Sequence, residues 1–122
     1  SPRRAARPAD MARTLPYRRI VCAFQPHTYT RTRAFLKDFA SALSLADKVI
    51  LADIYAAREK DPGDISSADL ARELEKLGKE VHYLRSFDEI EKFILKNLVN
   101  GDLLITMGAG NIVEIGENLL NN

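Results

Sequence analysis

Four nearly unbroken apolar runs alternate with segments of helical period, and this predicts an α/β domain with a mainly parallel sheet of at least four strands, covered by helices on both faces. The punctuation between runs agrees, with a helix-ending glycine at Gly78 and a capping box at Ser86-Phe87-Asp88-Glu89. At 122 residues the chain suffices for one domain whose core needs no disulfide or metal.

In chain order, residues 1–11 have no periodicity, and 12–18 read as the end of a helix closed by Pro16. The run Ile20-Val21-Cys22-Ala23-Phe24 makes strand one, about Arg19–Phe24. Apolar positions at 35, 36, 39, 40 and 43 share one helical face, so helix one is about Thr32–Leu45. Strand two spans about Lys48–Ile54, and the loop Tyr55–Ile65 contains Pro62 and Gly63. Helix two covers about Ser67–Leu77 and strand three Glu80–Leu84. Helix three runs from Ser86 to about Val99, strand four is Asp102–Met107, and a last helix follows from Asn111 to about Leu120.

If the strands follow the half-Rossmann pattern, their order is 3-2-1-4 in a Rossmann-like three-layer domain. The winding then reverses between strands one and four, where open α/β sheets bind ligands. Two loops meet there, Gln25–Arg31 and Gly108-Ala109-Gly110, and the loop after strand two, from Tyr55 to Asp61, adds charge at the same edge.

The first loop, Phe24-Gln25-Pro26-His27-Thr28-Tyr29-Thr30-Arg31-Thr32-Arg33, is too rich in donors to be a mere connector. Pro26 restricts Gln25 to extended backbone. Thr30 or Thr32 is placed to cap the following helix. Arg31 at the positive end of that helix makes most sense if an anion shares the site. The glycines at 108 and 110 let main-chain N–H groups approach a ligand.

Other chemistries are disfavoured. Gly108-Ala109-Gly110 follows the last strand, and Val113 replaces the third glycine of a dinucleotide fingerprint. There is no phosphate-cradling P-loop and no metal-ligand spacing. A phospho-receiver would need an acidic pair after strand one and a lysine after the last, and neither is present. His82 reads as an edge or core residue, and Cys22 as a small buried side chain in a reduced protein. No segment approaches the ~18 apolar residues of a membrane span, and no signal peptide is recognisable, so the expected location is cytoplasmic.

The net charge of +1 hides an asymmetry: residues 1–33 hold eight arginines and one acid, whereas 34–122 hold ten basic and sixteen acidic side chains. An arginine-rich front can indicate nucleic acid. No aromatics interleave with these arginines, which favours a disordered or appended tail over residues 1–11 and no nucleic-acid role. The residues alone thus describe an anion-binding α/β domain without a complete catalytic machine, as expected of one part of a larger enzyme.

The stretches Val21–Thr32, Asp53-Ile54-Tyr55-Ala56-Ala57-Arg58-Glu59 and Gly101–Ile112 resemble the C-terminal domain of the Mur ligase family, in its L-alanine-adding branch, over roughly residues 12–120. The phrase F-Q-P-H-x-Y-[ST]-R-T carries most of the specificity. The resemblance implies a three-domain bacterial enzyme of peptidoglycan synthesis. Its other two domains would hold UDP-N-acetylmuramate and, mainly in the central one, ATP and magnesium. The third domain would close over both and bring L-alanine to an acyl phosphate.

It also implies a substrate-binding set of His27, Thr28, Arg31, Tyr55, Gly108, Ala109 and Gly110, with no complete catalytic set and no metal ligand in this chain. The alternative is a stand-alone anion- or nucleotide-binding module. Three departures from the family pattern stand out: Arg7-Pro8-Ala9-Asp10-Met11 where an Asp-Tyr-x-His-His-Pro segment is usual, Thr28 where arginine is frequent, and Asn111 where aspartate is common.

Overall fold

A computed structural model describes residues 19–98 and 101–108. The expected tail (1–11), the helix end at 12–18, Val99, Ala109, Gly110 and the last helix from Asn111 all lie outside the described residues. The elements are β1 (Arg19–Gln25), α1 (Tyr29–Ala34), α2 (Leu36–Leu43), β2 (Lys48–Leu51), α3 (Ser67–Lys76), β3 (Glu80–Tyr83), α4 (Phe87–Asn97) and β4 (Asp102–Gly108).

The four strands form one all-parallel sheet in the order β3-β2-β1-β4, as the sequence predicts. Alternation along the central strand β1 builds two cores. Ile20, Cys22 and Phe24 face Ala40 and Leu43 of α2 and Leu70 and Leu74 of α3. Val21 and Ala23 face Ile90 and Ile94 of α4. Helices therefore cover both faces, giving three layers. Burial pushes the Cys22 thiol up to about 12, so it stays neutral in the core.

Side chains fix the element ends. Ser66 and Asp69 form one capping box at α3, and Ser86 and Glu89 form another at α4. Gly78, at φ +79, closes α3 in the left-handed region. Arg19 grips Asp102 with two hydrogen bonds, Nε at 3.0 Å and Nη2 at 2.6 Å, clamping the start of β1 to the start of β4.

Two elements differ from expectation. The predicted first helix is two helices, broken at Phe35. Thr32 is fully buried and its hydroxyl donates to the carbonyl of Thr28 at 2.7 Å, a back-bond that bends helices. Strand two ends at Leu51 rather than Ile54. Beyond it, Ala52 N still donates to Phe24 O at 3.0 Å, and side chains then take over the carbonyls: Gln25 Nε2 donates to Asp53 O at 3.2 Å, and the Ser67 hydroxyl donates to Ala52 O.

At the outer edge, buried Lys48 pairs with Glu80 at 3.1 Å and lies over the Phe93 ring, while His82 also meets Glu80. The hydrogen bond from His82, then that from Lys48, holds the Glu80 carboxyl below its ordinary range. A lowered folded-state pKa contributes stability above the unfolded value that disappears as pH falls through the folded one. Glu80→Gln is therefore expected to flatten the acid limb of a stability–pH curve below pH 4.5. The effect should be under about 1 kcal/mol because Glu80 is half exposed. Urea titrations at stepped pH read it, and an unchanged acid limb would remove Glu80 from the account.

Candidate functional site

The carboxyl ends of β1 and β4 open into a cavity of about 560 Å³ lined by Phe24, Gln25, His27, Arg31, Phe39, Tyr55 and Gly108. It lies at the switch between β1 and β4. The main chain builds its rim. Tyr55 N donates to Pro26 O and Thr28 N donates to Tyr55 O, both at 2.8 Å, so His27 and Tyr55 pair as a single parallel bridge past the strand ends. Their rings then lie 5.6 Å apart.

Three non-glycine residues in these two loops occupy the left-handed region: Thr28 at φ 67, Ala57 at φ 49 and Arg58 at φ 77. For a β-branched residue such as Thr28 this is a true outlier. Strain of this kind persists only where the surroundings over-determine it, and here the bridge through Tyr55 does so. The strained Thr28 is also the cap of α1, its hydroxyl accepting from Arg31 N at 3.1 Å. The sequence places the cap at Thr30 or Thr32, but both lie inside the helix, and no local propensity puts a threonine at positive φ.

A carboxylate that the sequence reading did not single out occupies the start of α1. Glu59 Oε1 accepts from Tyr29 N at 2.6 Å and Thr30 N at 3.1 Å. Hydrogen bonding, chiefly from the Thr30 side chain and then from both main-chain N–H groups, holds the Glu59 carboxyl below its ordinary range. The anion expected beside Arg31 is thus partly internal. The only sequence signal for it is an acidic residue in the charged loop after β2.

Arg31 is exposed, lines the cavity and forms no ion pair among the described residues. Arg33, on the same helix, pairs with Asp64. Deeper in, Gln25 is 8% exposed, and its Oε1 and the Nδ1 of His27 are buried without hydrogen-bond partners among the described residues. The donation from Gln25 Nε2 to Asp53 O sets the amide orientation, because a flip would bring two carbonyl oxygens together. Gln25 Oε1 can only accept, so it awaits a donor. Among the described residues, the cavity therefore combines one unpaired guanidinium, two unpaired polar atoms and an apolar wall of Phe24 and Phe39.

Of the residues expected at the site, the structure brings together His27, Arg31, Tyr55 and Gly108. Thr28 adjoins the cavity but does not line it, and Ala109 and Gly110 lie outside the described residues. Among the described residues no cluster of His, Cys, Asp and Glu could hold a metal ion. Among them, too, no helix is long and apolar enough to cross a membrane.

Residues 1–110 match the family model described as "Mur ligase, glutamate ligase domain". The chain is 63% identical over 109 residues to the UDP-N-acetylmuramate–L-alanine ligase of Lachnoclostridium phytofermentans, covering 89% of this chain and 23% of that protein. It is 51% identical over 111 residues to the ligase of the same name from Caldanaerobacter subterraneus, covering 91% and 24%. Among solved structures it resembles the UDP-N-acetylmuramate–alanine ligase of Thermotoga maritima, with a TM-score of 0.63 and 29% identity over 84% of this chain and 20% of that one. The chain thus spans about a quarter of the length of the relatives it matches.

Proposed function

The chain belongs to the Mur ligase family, matching its glutamate ligase domain, and from that premise we propose that it forms the amino-acid-binding, C-terminal part of the ATP-dependent ligase that joins L-alanine to UDP-N-acetylmuramate. The whole protein works in the bacterial cytoplasm, in peptidoglycan synthesis, with N-terminal and central domains that hold the UDP sugar and the nucleotide. ATP and magnesium are held mainly by the central domain.

The observation that carries this reading is the cavity's polar inventory. A zwitterionic amino acid presents a carboxylate and an amine. Arg31 can take the carboxylate in a bidentate, charge-assisted pair. Gln25 Oε1 and His27 Nδ1 can accept from the amine, relieving the cost of two buried unpaired groups. Main-chain groups at Gly108 line the same wall. In the reaction the sugar's carboxylate takes the γ-phosphoryl group of ATP as ADP leaves, and the amine then attacks the carbonyl carbon of that acyl phosphate, giving up a proton as phosphate leaves. The part of these residues is to hold the amine in line and, on domain closure, to keep out water that would hydrolyse the acyl phosphate. A stand-alone anion-binding module is less well supported, because the N–H groups that would cradle an anion at α1 already bind Glu59.

Phosphate release by the full-length protein tests this reading, given ATP, magnesium and UDP-N-acetylmuramate with each candidate amino acid in turn. Release that depends on L-alanine is expected. Release with another amino acid overturns the substrate, and release with none overturns the ligase.

A further inference from the structure

We propose that Glu59 is a positioning residue for amino-acid binding: its carboxylate fixes the first turn of α1 and thereby the placement of Arg31 in the cavity wall. This rests on the reading of the cavity given above. The helix α1 has only six residues, is separated from α2 by the break at Phe35, and has no acidic residue in its own first turn. A carboxylate from a loop 30 residues further on meets that need, with one oxygen binding two successive N–H groups. Arg31 is the next residue, and its own N–H is held by the Thr28 cap. Backbone hydrogen bonds therefore hold all three residues from Tyr29 to Arg31, two of them through Glu59.

The other end of the carboxylate is equally fixed. Ala57 and Arg58 turn the chain through two consecutive left-handed conformations, and Glu59 N donates to Ala56 O at 3.0 Å to close the turn. Such a turn costs energy in non-glycine residues and aims the next side chain in one direction. Hydrogen bonding holds the carboxyl below its ordinary range, so the ionised form is the one this geometry favours. The strain in one loop is thus coupled to the placement of the cation in the other.

The test uses the full-length protein with Glu59→Ala and Glu59→Gln. Glutamine retains a carbonyl oxygen that can accept from both N–H groups, whereas alanine retains nothing. Glu59→Ala is expected to raise KM for L-alanine about tenfold, leaving kcat and the KM values for ATP and UDP-N-acetylmuramate within about twofold, and Glu59→Gln to recover most of the loss. A purely structural role would lower the melting temperature and the active fraction without moving KM for L-alanine, and that result overturns the proposal. So does a parallel rise in all three KM values. If the wild type uses another amino acid, the same comparison is made with that one. If it releases phosphate with none, the reading of the cavity fails at the wild type, and the positioning role falls with it.

Discussion

Arg31→Ala in the full-length protein is expected to lower kcat/KM for L-alanine by roughly ten- to a hundredfold, the range for losing a charge-assisted, bidentate contact to a carboxylate. Arg31 forms no ion pair among the described residues and supports no other element, so its removal should cost little stability. That separates it from core substitutions. Phosphate-release kinetics at saturating ATP and UDP-N-acetylmuramate give the number, and thermal unfolding of the same variant supplies the control. Arg31→Lys should rescue only part of the activity, since an ammonium cannot reproduce the planar fork. Near wild-type kinetics for Arg31→Ala would remove Arg31 from the amino-acid site.

Gly108→Ala is expected to be among the most damaging single substitutions to the fold. Gly108 ends β4 directly beside Gln25, and a Cβ there would run into Gln25 O and sit 2.9 Å from Gln25 N. Its φ of +122 is also a conformation that side chains rarely adopt. No flexible side chain can give way, because the obstruction is backbone in the central strand. The outcome is a loss of about 3 kcal/mol or more, or separation of the β1–β4 ladder at its carboxyl end. Urea unfolding of Gly108→Ala against wild type measures it. Gly78→Ala provides a contrast: its Cβ would meet nothing within 4 Å, so only the left-handed backbone is penalised. Equal losses at the two positions would show that backbone conformation, and not the close approach to Gln25, makes Gly108 necessary.

What the sequence made legible was local or periodic. The strands and their parallel sheet followed from unbroken apolar runs such as Val49-Ile50-Leu51, their order from the half-Rossmann pattern, and the α4 cap from Ser86 and Glu89, three residues apart. The α3 box was harder to see, because Asp69 stands where glutamate is the usual partner. The break at Phe35 was hidden because Leu36, Phe39 and Leu43 keep helical spacing on its far side, and the Thr32 hydroxyl's back-bond to Thr28 O leaves no mark in that spacing. The cavity was legible at His27, Arg31, Tyr55 and Gly108, which lie at strand ends on the switch-point side. Two participants were not. Gln25 opens the loop after strand one, but nothing in the sequence singles it out for the site, and only its Oε1, unpaired among the described residues, marks it. Glu59 acts on N–H groups 30 and 29 residues away, a relation no local pattern encodes.

The clamp between Arg19 and Asp102 has a consequence for how the molecule is made. The two residues are 83 positions apart, and the strand that begins at Asp102 lies beside the strand that begins at Arg19. A ribosome delivers β1, β2 and β3 well before β4, and those three can already associate as neighbours. The seam between first and last strand closes a loop of about eighty residues, an entropic cost met only when that last strand has emerged. Until then one edge of β1 stays open and the cavity lacks its Gly108 wall. The cavity is therefore completed late in the life of the nascent chain, after the part of the sheet that supports it has formed.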